Sequence, residues 1–163
     1  MDRHSSSLCP VEAVVMQRPN QKPAWIVLVE DNPADAILVR EALDEHGVHC
    51  DLTTLTDGER AFQLIERIDR EQAECPDLVI LDLKLPKKSG FEILERMRSS
   101  PICARIPVVI FTSSSAQQDK DRAAALGGTR YIAKPHRLAE FVKIGAVIKN
   151  ILEGQVAEPE HSP

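Results

Sequence analysis

Asp82 stands inside an otherwise apolar run, VILDLKLPKKSG, over residues 79–90. A lone carboxylate is costly to bury, so the group must be paired, metal-bound or exposed at a strand end. Three other places in the chain bear on that choice. Glu30 and Asp31 follow the apolar run Trp25 to Val29, and two adjacent acids at a buried strand end are expensive without a cation. Thr112 closes the run Val108 to Phe111. Lys134 follows Tyr131 to Ala133 and precedes Pro135, which confines its backbone to extended conformations. A carboxylate can act as a nucleophile, acids can hold a hard divalent cation, and a hydroxyl with an ammonium can stabilise charge developing on oxygen. Taken singly, each has a plain reading: Asp82 and the acid pair as caps, Lys134 as a solvated lysine, Tyr131 as a half-buried aromatic.

The elements around these residues decide how they meet. Trp25 to Val29, Val48 to Thr56, Leu78 to Leu81, Val108 to Phe111 and Tyr131 to Ala133 read as strands; the short, continuously apolar ones are of the type buried on both faces. Helical stripes alternate with them. The first starts at Asn32 or Asp31 before Pro33, carries Leu38, Val39, Ala42 and Leu43, and ends at Gly47. The second is capped by Asp57 and carries Ala61, Leu64, Ile65 and Ile68, with IDREQAEC read as a solvated extension. Phe91, Leu94 and Met97 mark a third, Ala116 to Leu126 a fourth stopped by Gly127-Gly128, and Leu138 to Leu152 a fifth. Five strands alternating with five helices predict an α/β domain, a doubly wound five-stranded parallel sheet. Such sheets work at the carboxyl ends of their strands, where Asp31, Asp82, Thr112 and Lys134 all fall.

The bulk numbers set the limits. A chain of 163 residues with 43% hydrophobic content fits one ordinary domain. We expect it over residues 24–153, with a flexible arm over 1–23, in which VEAVVM is a candidate docking segment, and a flexible tail over 154–163. A net charge of -5 argues against nucleic acid as a partner held by overall charge. No stretch is long enough to cross a membrane and no secretory signal is visible, so the expectation is cytoplasmic. Cys9, Cys50, Cys75 and Cys103 lie far apart with no C-x-x-C pair, and are expected to be unpaired thiols.

From about Trp25 to Leu152 the chain resembles the receiver domain of two-component response regulators, a flavodoxin-like (βα)5 fold. The residues that carry the resemblance are Glu30-Asp31 after the first strand and Asp82 after the third, with Pro86 and Gly90 beyond it. Thr112 at the end of the fourth strand and Lys134 before Pro135 complete the set. The VEDNPAD opening and LPKKSG loop are similar to stand-alone regulators that partner phytochrome-like histidine kinases. The resemblance implies that Asp82 accepts a phosphoryl group from a kinase phosphohistidine. It implies Mg2+ held by Asp31 and Asp82, by Glu30 through water and by the backbone carbonyl of Lys84. Lys134 and Thr112 would contact phosphoryl oxygens, small Ser113 leaving access open. Thr112 and Tyr131 would form the switch, read out on the fourth helix, fifth strand and fifth helix. A cis peptide between Lys134 and Pro135 is also implied.

Two features depart from the pattern or exceed it. Lys84 stands two residues after Asp82, where many receivers carry a smaller polar residue, so it bears on the lifetime of a phosphoaspartate. The last helix holds more apolar residues than one core-facing stripe uses, from Leu138 and Phe141 to Ile151 and Leu152, which predicts a partner-binding or homodimer face. With only tails flanking the receiver, output by protein contact is expected, or a role as phosphorelay intermediate or phosphate sink. A phosphatase of the haloacid dehalogenase type needs a second carboxylate where Lys84 stands. A nucleotide or flavin module needs a Gly-rich loop where VEDNPAD stands. A static, unphosphorylated receiver scaffold would be expected to lack an acid, the lysine or Thr112.

Overall fold

A run such as LVIL has no polar face to turn to water and needs cover on both sides, which is how the computed structural model, describing residues 22–154, arranges it. The strands are β1 (Ala24–Val29), β2 (Cys50–Leu55), β3 (Leu78–Leu81), β4 (Val108–Thr112) and β5 (Arg130–Ala133). The helices are α1 (Pro33–Glu45), α2 (Gly58–Glu71), α3 (Gly90–Arg98), α4 (Gln117–Ala125), α5 (Leu138–Phe141) and α6 (Ile144–Leu152). All strand pairings are parallel, in the order β2-β1-β3-β4-β5.

Strand side chains alternate in direction, and the core divides accordingly. Ile26, Leu28, Leu78, Ile80, Val109 and Phe111 face α1, α5 and α6. Val27, Val29, Val79, Leu81, Val108 and Ile110 face α2 and α3, with Ala123 of α4. The doubly wound sheet is therefore as predicted, and its order reverses between β1 and β3, where such folds open a crevice.

Local chemistry fixes the helix starts beside that crevice. Asn32 Oδ1 accepts from the Ala34 and Asp35 backbone N–H at 2.9 and 3.4 Å, with Pro33 in the first turn. Asp57 caps α2 through the Arg60 N–H, and Ser89 and Glu92 form a capping box on α3. Gly90 sits so close to the strand end that a Cβ would collide with the Asp82 carbonyl oxygen. Gly145 likewise lets α6 press on the Ala42 carbonyl of α1.

Several expectations are corrected. The last helix is two pieces: at the junction Gly145 N–H donates to Val142 O at 3.1 Å, a tighter turn than an α-helix makes. The apolar surplus there is mostly consumed within the chain, since Phe141, Ile144, Ile148 and Ile151 are buried and Val147 and Leu152 pack against the same cluster. Of the proposed extension of the second helix, only the part up to Glu71 is helical; Gln72 takes a left-handed cap with φ 54° and a loop follows.

Cys75 and Cys103 form a disulfide, with Cα atoms 5.9 Å apart, while Cys50 is free. Their sequence separation hides a spatial adjacency. Each precedes one of two neighbouring strands, and Val79 on β3 is in register with Val108 on β4. The arm over 1–23, apart from its last two residues, and the tail beyond 154, with Cys9, lie outside the described residues.

Candidate functional site

At the carboxyl ends of the strands, chain segments far apart in sequence deliver charged groups to one spot. The loop after β1 brings Glu30 and Asp31, β3 ends in Asp82, and β5 leads into Lys134. One carboxylate oxygen from each of Glu30, Asp31 and Asp82 lies within 4.8 Å of the others. Glu30 and Asp82 are buried, at 2% and 6% exposed, and Asp31 is open to solvent.

Lys134 anchors the group. Its ammonium lies 2.7 Å from Glu30 Oε1, 2.8 Å from Asp35 Oδ2 and 3.0 Å from Asp82 Oδ2. The contacts to Asp35 and Asp82 are aligned hydrogen bonds. That to Glu30 is close but poorly directed, so Oε1 remains a buried oxygen with a charge beside it and no aligned donor. Glu30 Oε2 accepts from the Asn32 N–H at 3.1 Å, and Asp82 Oδ1 from the Lys84 N–H at 3.2 Å.

Three carboxylates contact one ammonium with Asp31 beside them, and the ionisation equilibria of Glu30 and Lys134 show the crowding. Burial pushes the Glu30 carboxyl up to about 7, against the pull of Lys134. Burial alone would lower Lys134, but the bonds from Asp35 and Glu30 and the charge of Asp82 hold it above its ordinary value. The cluster keeps an excess of negative charge, and its donors are hard oxygens. This set suits a divalent cation such as Mg2+, which takes one or two carboxylates and retains water. The orphaned Glu30 oxygen fits the same ion.

The other expected residues fall around this centre. Thr112, the buried last residue of β4, keeps its hydroxyl on its own loop, where Oγ1 accepts from the Ser114 N–H at 3.5 Å. Its carbonyl accepts from the Lys134 N–H at 2.7 Å. Ser113 is exposed. Tyr131 is half-buried and donates its hydroxyl to the Ser114 carbonyl at 2.9 Å, tying β5 to the loop after β4. Lys84 has an exposed side chain, with no ion pair among the described residues, while its backbone N–H holds Asp82. The implied cis bond before Pro135 is absent, since no described peptide bond is cis, and the long lysine reaches the acids without it.

One member of the cluster was not anticipated. Asp35 stands in the first turn of α1, where an acid reads as favourable to the helix dipole. Its sequence signal is only that it lies four residues beyond Asp31, one helical turn from the strand end.

The Response regulator receiver domain family description fits residues 26–145. Response regulator Rcp1 of Synechocystis sp. is 35% identical over 130 residues, which span 79% of this chain and 88% of that protein. Among solved structures, the phosphorylated cyanobacterial phytochrome response regulator RcpA is 35% identical with a TM-score of 0.73, over 85% of this chain and 99% of that one. The Mn2+-bound form of Rcp1 is 34% identical with a TM-score of 0.73, over 84% and 99%. The sequence match and the sheet order agree, and on them the chain belongs to the response regulator receiver domains.

Proposed function

We propose that Asp82 is the phosphoacceptor of a two-component pathway, taking its phosphoryl group from a phosphohistidine of a histidine kinase. The observation that carries this reading is the position of the Asp82 carboxylate: buried at a strand end, bonded to Lys134 and within cation-sharing distance of Glu30 and Asp31. An Asp82 oxygen attacks phosphorus, the P–N bond breaks, and the imidazole nitrogen leaves with its electron pair and takes up a proton. Bound Mg2+, held by Asp31 and Asp82, by Glu30 through water and by the Lys84 carbonyl, would neutralise charge on the transferred group. Lys134 binds one phosphoryl oxygen and Thr112 another. Thr112 then leaves Ser114, and the loop that Tyr131 grips moves with it, which carries the switch to the face formed by α4, β5 and the last helices.

The chain is a receiver rather than an enzyme of other substrates; its catalysis is confined to its own phosphorylation and dephosphorylation. A phytochrome-type kinase is the partner favoured by the likeness to the phytochrome response regulator RcpA, and a cytoplasmic site of action goes with that reading. Ile37 and Leu138, exposed on the helices that follow β1 and β5, offer such a kinase apolar contact at the site's end of the sheet. Output runs through protein contact, or onward transfer in a relay. A homodimer through the last helices has narrower support in Leu138 and the half-buried Val142; sedimentation as a monomer in both phosphorylation states would remove it.

The test is intact-mass spectrometry after incubation with acetyl phosphate, with and without Mg2+, beside Asp82→Asn. We expect one added phosphoryl group in the wild type alone and only with Mg2+. No addition under any condition would overturn the reading in favour of a static scaffold.

A further inference from the structure

An ammonium has three donors, and the three carboxylates around Lys134 are of two kinds. Glu30 and Asp82 belong to the trio whose oxygens converge within 4.8 Å; Asp35 does not. A divalent ion entering that trio and the lysine therefore compete for the same oxygens. Asp35 offers Lys134 an anchor outside the contest, and at 2.8 Å it makes the shorter of the two aligned bonds. The anchor is itself fixed, because the Asn32 side chain holds the Asp35 backbone N–H in the first turn of α1.

Resting on the function proposed above, we propose that Asp35 is a positioning residue: when a divalent cation takes the Glu30 and Asp82 oxygens, Asp35 retains the Lys134 ammonium that the ion displaces from them. Without the Asp35 charge, Lys134 has only Glu30 and Asp82 to pair with, and Mg2+ must displace it with no other acid to receive it. The effect is routed through the lysine, which separates it from simple attraction between Asp35 and the metal.

A double-mutant cycle reads that difference. Isothermal titration of Mg2+ into the metal-free full chain compares wild type with Asp35→Asn, and the same pair in a Lys134→Met background, circular dichroism confirming that each is folded. We expect Asp35→Asn to weaken Mg2+ binding by on the order of tenfold with Lys134 present, and by less than twofold in its absence. Asp35→Glu, which restores the charge, returns affinity toward the wild type. An equal loss in both backgrounds would overturn the proposal, because Asp35 would then act on the ion directly. So would an unchanged affinity in Asp35→Asn, with phosphorylation of the wild type still standing. A wild type that neither binds Mg2+ nor gains a phosphoryl group would remove the proposed function, and this inference with it.

Discussion

The two ends of the parallel sheet handle charge in opposite ways. At the amino ends of β3 and β4, Asp69 of α2 accepts from Arg96 of α3 at 2.7 Å and from the Ser100 hydroxyl at 2.5 Å. Arg98 donates to the carbonyls of Ala104, Ile106 and Gly127. The disulfide closes the same end, and the Cys103 N–H donates to Ser100 Oγ at 2.9 Å. Donors and acceptors are matched there, and these bonds tie elements of the fold together. At the carboxyl ends three acids share one ammonium, and Asp31 adds a fourth negative charge beside them. The matched end serves stability; the unmatched end stores an electrostatic demand that only another cation or a chemical change satisfies.

Breaking each end should show the difference, most strongly at Lys134. In metal-free protein Lys134→Met leaves the buried acids uncompensated and should cost about 3–5 kcal/mol. Urea unfolding with and without MgCl2 checks it: saturating Mg2+ should recover most of the loss. If it recovers none, the carboxyl end is as purely structural as the other.

At the matched end, Cys75→Ser under oxidising conditions opens a bridge spanning 28 residues and should cost about 2–4 kcal/mol, with no rescue by Mg2+. Asp69→Asn in the same denaturant assay should cost about 1–3 kcal/mol at neutral pH. Burial pushes the Asp69 carboxyl up, but the Ser100 hydroxyl and the Arg96 guanidinium outweigh it and hold it below its ordinary 3.8. Because the folded value is the lower one, this stabilisation is complete above that range and is lost as pH falls through the folded value. The stability curves of wild type and variant should therefore converge in acid. The smallest effect has the opposite sign. Glu30→Gln removes one crowded charge and should stabilise the metal-free protein by about 1 kcal/mol, an advantage that saturating Mg2+ cancels.

The sequence foretold these two ends unequally. β3 was legible to the residue, because a strand covered on both sides must be apolar throughout. The meeting of Glu30, Asp31, Asp82 and Lys134 was legible because each follows a strand of one parallel sheet, and their proposed roles came from the family resemblance. Asp35 was not, since its role appears only when β5 brings Lys134 beside α1. The disulfide was hidden for a related reason: its cysteines become neighbours through the pairing of β3 with β4, which no local spacing encodes. The break between α5 and α6 was also invisible, because the apolar pattern runs through it and only the tighter turn at Val142 and Gly145 interrupts the helix.

The bridge between Cys75 and Cys103 encloses the whole of β3, the loop after it and α3. Lys87, exposed in that loop at φ 74°, is open to a protease that cuts after lysine. A chain nicked there stays one covalent molecule while the bridge is closed, with Asp82 and Lys134 on separate polypeptide pieces. Reduction at the far end of the sheet then leaves Asp82 and Lys134 joined only by non-covalent contacts.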